Sequence, residues 1–253
     1  LSDLQTIITE RKMATHFARG ILTDGHLTST RLPSACHHAA RQLPEHQRHR
    51  FLASRALLAE LMFMLYGISE LPDIVIQPNG RPVFFDVQLP HFSLAYAGNM
   101  VGVAITTEGI CGLDMELQRT TRGLHSPLAQ ERHIFSNNEK LWISNQSDPN
   151  EAQTQLITLR QSVLKMTSQT QDSPELLQLL PGAGRLRAAL AAPVEALCDA
   201  EDVLIWSVAV SPAMETLRIW AFDSRSGWSS LPDIQQRANA PAARLMRFSS
   251  LPA

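Results

Sequence analysis

The 253-residue chain is 44% apolar and carries a formal net charge of -2, enough to bury one large core or two small ones and too little charge for any overall attraction to nucleic acid or anionic membrane. No apolar run approaches the ~20 residues of a membrane span, and Leu1-Ser2-Asp3 has neither the charged nor the apolar part of a signal peptide, which points to a cytoplasmic protein. Cys36, Cys111 and Cys198 are widely separated and odd in number, so neither a disulfide framework nor a metal knuckle is expected.

Because Met13 is preceded by a stretch opening on Leu1, residues 1–12 are expected to be a leader or cloning remnant outside the fold. Residues 13–22 read as a strand ending at the turn Thr23-Asp24-Gly25. Between Pro44 and Gly67, Phe51, Leu58, Leu61, Met62 and Leu65 recur at helical spacing, which predicts a helix over 45–66. Its other side carries Arg48 and Arg55, with Arg41 and His49 nearby, a basic face. Residues 74–76 and the turn Pro78-Asn79-Gly80 follow. Three strand-like runs at 91–97, 100–107 and 110–117, joined by Gly98-Asn99 and Glu108-Gly109, read as an antiparallel meander packed on a helix.

Ser136 and Glu139 form a capping box for a helix over 136–145, and Leu156, Leu159, Val163 and Leu164 mark another over 150–168. From Pro174 to Ala200 no firm period emerges; strands resume at 203–210 and 216–222, and the tail 237–253 has little core character. Trp206, Trp220 and Trp228 are expected on the packing surface of the C-terminal sheet. Apolar periodicity lapses near 119–125, which divides the chain into halves at 13–120 and 121–253.

The chemistry concentrates in Gly112-Leu113-Asp114-Met115-Glu116. Side chains alternate along a strand, so Asp114 and Glu116 share a face with Gly112, while Cys111, Leu113 and Met115 point into an apolar layer. Carboxylates spaced roughly 7 Å apart on one face suit a hard cation such as Mg²⁺, and a glycine beside them would leave room for a bulky anion. A solvated strand end carries the same pattern, so the neighbouring motifs decide the reading.

Those motifs are Arg50-Phe51-Leu52-Ala53-Ser54-Arg55-Ala56-Leu57, Gly80-Arg81-Pro82, Phe92-Ser93-Leu94-Ala95-Tyr96-Ala97-Gly98, Gly112-Leu113-Asp114-Met115-Glu116 and Phe135-Ser136-x-x-Glu139. In this order, over about residues 48–166, the chain resembles the two-lobed, Sfp-type 4'-phosphopantetheinyl transferases, with their patterns R-F-L-A-G-R-x-L, G-K-P, F-N-x-S-H-x-G, G-x-D-x-E and F-x-x-x-E. The resemblance implies an α+β fold of two pseudo-symmetric halves, each a small antiparallel sheet on a long helix. It implies transfer of phosphopantetheine from coenzyme A to a serine of an acyl or peptidyl carrier protein. Asp114 and Glu116 would hold Mg²⁺, Arg48 and Arg55 would meet the coenzyme A phosphates, and Gly80-Arg81-Pro82 would line the nucleotide pocket, with Arg81 in place of the usual Lys. Both halves of such a site lie in one chain, so a monomer is expected.

The sequence departs from that pattern at three places, one of them the Gly-rich stretch that usually follows the last Lys, which is replaced by Thr167-Ser168-Gln169-Thr170-Gln171. Ala95 and Tyr96 stand where the family has Ser and His; Tyr96 still offers a hydroxyl to the cofactor but no cationic charge. Against W-x-x-K-E-x-x-x-K the chain reads Ile157-Thr158-Leu159-Arg160-Gln161-Ser162-Val163-Leu164-Lys165, so Gln161 replaces a glutamate that in the family is a metal ligand and is often assigned as the base. Gln161 has no useful basicity, which lowers the expected rate by ~10²–10⁴-fold. Lys165 retains the final motif position, and Gln161 and Lys165 are the expected catalytic pair. The alternative is a weakened homologue that binds coenzyme A or a carrier protein without modifying it.

Overall fold

The computed structural model describes residues 14–22, 28–118, 134–168, 175–189 and 192–252. The expected leader, the turn at 23–25 and the join at 119–125 lie outside the described residues. Strand β1 (Thr15–Ile21) precedes helices α1 (Ser34–Arg41) and α2 (Glu45–Tyr66). Helix α2 has the predicted bounds and stops at Gly67, whose φ of 70° turns its N–H back onto the Phe63 carbonyl. Helix α1 has no counterpart among the predicted elements, because its eight residues bury only Ala40. A short hairpin, β2 (Ile74–Ile76) and β3 (Pro82–Phe84), leads to β4 (His91–Ala97), β5 (Met100–Thr106) and β6 (Gly109–Leu117).

Helix α3 (Asn137–Ser144) starts on the predicted capping box: Glu139 N–H donates to Ser136 Oγ at 3.3 Å, and Ser136 N–H to Glu139 Oε2 at 2.6 Å. Helix α4 (Pro149–Thr167) begins at Asp148, whose carboxylate accepts from the Glu151 N–H. The remaining elements are β7 (Leu177–Leu180), β8 (Arg185–Ala188), β9 (Glu195–Glu201), β10 (Leu204–Pro212), β11 (Leu217–Asp223), β12 (Gly227–Ser230), α5 (Ile234–Ala238) and β13 (Met246–Ser250).

The fold is α+β. One sheet runs β12-β11-β1-β5-β4 and another β6-β10-β9-β13-β8-β7, with β2-β3 a separate pair. Neither large sheet is wholly antiparallel as expected, since β1 pairs with β11 and β13 with β8 in parallel. The meander is also corrected. Strands β4 and β5 pair as read, but β6 leaves them and runs antiparallel to β10, with Asp114 opposite Ser207. The departure begins at Gly109, whose φ of 134° excludes other residues, and it lets β6 cross over the first sheet rather than extend it. Strand β11 in turn joins β1, and β12 pairs with β11 at the edge of that sheet.

The layers follow from the apolar clusters. Helix α2 covers one face of the first sheet through Leu57, Leu58, Leu61 and Met62. The two sheets meet through Phe17, Ala104, Cys111, Leu113, Met115 and Trp206. Helix α4 covers the far face of the second sheet through Leu156, Leu159, Val163 and Met166. Two readings of the C-terminal region change. The tail is not peripheral: Phe248 of β13 is 1% exposed within the α4 core. Of Trp206, Trp220 and Trp228, only Trp206 lies on the second sheet; Trp220 and Trp228 sit on β11 and β12 and pack toward α2.

Candidate functional site

Strand β6 is the edge of the second sheet, and its two faces are as unlike as alternation predicts. Cys111, Leu113 and Met115 are essentially unexposed between the sheets. Gly112, Asp114 and Glu116 point to the α4 side. The glycine does not leave room for an anion, which corrects the expectation. A Cβ at Gly112 would lie 2.0 Å from the Ser162 carbonyl oxygen and 2.7 Å from Met166 N, so the missing side chain is what lets α4 lie directly on β6.

The outer edge of β6 would leave backbone donors unpaired, and β4 supplies side chains for them. Cys111 N–H donates to His91 Nδ1 at 3.0 Å, and Leu113 N–H to Ser93 Oγ at 3.0 Å. Side chains thus replace a backbone ladder between the two sheets. Neither residue was singled out from the sequence, although Ser93 occupies the Asn position of F-N-x-S-H. Arg81 Nη2 also lies 2.9 Å from His91 Nε2, and burial together with that guanidinium pushes the imidazole down to about 4, so His91 is neutral at pH 7.

Asp114 is 7% exposed. Its Oδ1 accepts from Lys165 Nζ at 3.1 Å, and the same ammonium donates to the Leu113 carbonyl at 3.0 Å. Its Oδ2 is buried without a hydrogen-bond partner. Burial raises the carboxyl above its ordinary value, and Lys165 opposes that shift. Glu116 is half-buried two residues on, facing the same way. Gln161 is half-buried one helical turn before Lys165 on α4. Among the described residues, no group of three or more His, Cys, Asp and Glu side chains comes together as a metal cluster.

Gly80, Arg81, Pro82 and Lys165 line one cavity of about 240 Å³ with Asn79, Phe92, Ser93, Leu94 and Ser168. Arg81 is a structural clamp within it. Its Nη1 donates to the carbonyls of Lys165 and Met166, both at 2.9 Å, and its Nη2 to the Cys111 carbonyl at 2.9 Å. The guanidinium therefore closes the C-terminal end of α4, where a cation is favoured by the helix dipole.

A second group forms where β4 meets α2. Arg55 is 6% exposed, its guanidinium 3.8 Å from the Phe51 ring centroid, and it donates to Ser54 Oγ at 3.1 Å. Tyr96 donates to the same Ser54 oxygen at 3.1 Å, and burial lowers the Arg55 pKa. Arg48 stands apart: exposed, it donates to the carbonyls of Arg41, the last residue of α1, and of Leu43 just after it. The structure thus gathers Gly80, Arg81, Pro82, Lys165 and Asp114, and separately joins Arg55 to Tyr96.

Beneath α4, Arg160 and Glu139 are both unexposed and paired at 3.0 Å, and Glu139 also accepts the Leu179 N–H. This ion pair ties α3 to the turn of α4 that carries Gln161.

The chain is 68% identical over 240 residues to YieE of Escherichia coli strain K12, an uncharacterized protein, which covers 94% of this chain and 96% of that protein. The chain belongs to the YieE family. The YieE of Escherichia coli O6:H1 strain CFT073 matches to the same extent. A more distant likeness joins this YieE-family chain to the 4'-phosphopantetheinyl transferase AcpT of Escherichia coli strain K12: 32% identity over 93 residues, 37% of this chain and 44% of that one. No protein-family model matches.

Proposed function

We propose that this YieE-family chain is a Mg²⁺-dependent 4'-phosphopantetheinyl transferase that moves phosphopantetheine from coenzyme A to a carrier-protein serine. The observation that carries the reading is the convergence of Gly80-Arg81-Pro82 and Lys165 on one cavity, with Lys165 held against Asp114. The partial likeness to AcpT supports it. So do the two layers of sheet with one long helix on each outer face, which accord with two pseudo-symmetric halves in one monomeric chain.

The residues present fit a magnesium ion. Asp114 Oδ2 is a buried acceptor without a partner, Glu116 shares its face, and Mg²⁺ characteristically takes one or two carboxylates and completes its shell with water and phosphate. When bound, the ion would neutralise the diphosphate and polarise its phosphorus–oxygen bonds. Asp114 and Glu116 would hold it. Lys165 and the Arg55–Tyr96 pair would bind the phosphates of coenzyme A, and the 80–82 turn would contact the nucleotide. In the reaction, the serine oxygen bonds to the β-phosphorus of coenzyme A, and the bond from that phosphorus to the bridging oxygen breaks. The leaving group is adenosine 3',5'-bisphosphate, and the serine proton passes to a base. Gln161 accepts a hydrogen bond from the incoming hydroxyl but takes no proton, which makes a slow or specialised reaction the expectation.

The exposed corner of α1 and α2, with His37, His38, Arg41, His46, Arg48, His49 and Arg50 against the single acid Glu45, suits an acidic carrier-protein surface. The test is intact-mass measurement of apo acyl and peptidyl carrier proteins after incubation with the chain, coenzyme A and Mg²⁺. A phosphopantetheine adduct on at least one carrier is expected, and Gln161→Glu should raise its rate. Calorimetric binding of coenzyme A with no adduct on any carrier, in either protein, would favour the alternative reading, a non-modifying binder.

A further inference from the structure

The Lys165–Asp114 contact has an asymmetry that the transferase reading leaves unused. The Lys165 side chain is 39% exposed and lines the 240 Å³ cavity, whereas the Asp114 side chain is 10% exposed. The Lys165 backbone is pinned, since Arg81 holds its carbonyl and that of Met166. Asp114 is likewise fixed on a strand laddered to β10. The mobile partner is therefore the lysine side chain, and the direction open to it is the cavity.

With its ammonium on Oδ1, any divalent ion on Oδ2 would stand within about 5 Å of a positive charge, beside a carboxylate that is itself largely shielded from solvent. An anion in the cavity reverses that balance, because it offers the ammonium a second partner and brings negative charge to the metal. We propose that Lys165 is a built-in cation that blocks Asp114 against divalent metal in the free protein and is drawn off by a diphosphate entering the cavity, so that metal and diphosphate bind together. The diphosphate part rests on the proposed transferase reading; the block rests on the ion pair alone. Lys165 is thus a positioning residue for the metal ligand as well as a phosphate contact.

The test is the affinity for Mn²⁺ with and without inorganic pyrophosphate, followed by water-proton relaxation, which responds to protein-bound ion and little to the small chelate. Without pyrophosphate, Lys165→Met and Lys165→Gln should bind Mn²⁺ about tenfold more tightly than the wild type, and Lys165→Arg should stay near wild type because it keeps the charge. Pyrophosphate should tighten the wild type about tenfold and the two neutral variants less than about threefold. Asp114→Asn should abolish the gain in the Lys165→Met background. Neutral variants that bind the free ion no better than wild type would overturn the block. If they do bind it more tightly but pyrophosphate changes neither protein, the block stands and the diphosphate release fails, while the transferase reading stands or falls separately on the carrier-protein mass measurement.

Discussion

Replacing Gly112 by alanine should separate α4 from β6, and the contact geometry sets the size of the effect. The new methyl group would meet Ser162 O at 2.0 Å, Met166 N at 2.7 Å and Met166 Cβ at 2.9 Å, where ordinary contact begins near 3.4 Å. Two of these atoms are helix backbone, so no side-chain rotation relieves them, and α4 must retreat by more than 1 Å at Ser162. That retreat would stretch the buried Ser162–Ser207 hydroxyl contact of 2.9 Å and loosen the apolar layer that α4 shares with β9 and β10. Overpacking of this kind costs about 1–3 kcal/mol, and backbone contacts put Gly112→Ala at the upper end, about 3 kcal/mol. Equilibrium urea unfolding would show the fall as a lower midpoint at unchanged slope. Gly182→Ala, where nothing lies within 4 Å of the added atom, serves as control and should stay within about 0.5 kcal/mol of wild type. A Gly112→Ala protein as stable as that control would refute the argument that the glycine exists for helix docking.

Two further outcomes follow from buried groups. His91 titrates at about 4 instead of 6.5, so between those values the unfolded chain takes up the proton first; its contribution is complete above pH 6.5 and is lost as pH falls toward 4, by up to about 3 kcal/mol. His91→Gln keeps an acceptor for the Cys111 N–H but does not titrate, so its stability should fall less steeply over that window, and parallel wild-type and variant curves would contradict the assignment. Arg160→Met should cost about 3–5 kcal/mol by leaving Glu139 charged and buried, while Arg160→Met with Glu139→Gln should recover part of that; a double variant no more stable than the single would show that the ion pair is not the source.

Helices α2 and α4 and the Ser136–Glu139 cap depend on residues within a few positions of one another, so apolar spacing and end signals located them. The alternation of β6 likewise assigned Cys111, Leu113 and Met115 to the core and Asp114 and Glu116 to the other side. The tail failed on the same principle: Phe248 lies in a short strand whose burial comes from distant residues.

Sequence alone therefore determined which residues of β6 carry charge and where helices α2 and α4 run, because periodicity acts through the covalent chain. It could not choose the strand beside β6, since a backbone donor is equally satisfied by a neighbouring ladder or by His91 and Ser93 from β4. Only the tertiary structure decided that Gly112 makes way for α4, that Arg81 clamps that helix, and that Lys165 faces Asp114. Each of these is a contact between segments distant in the chain, and its existence depends on how the layers stack.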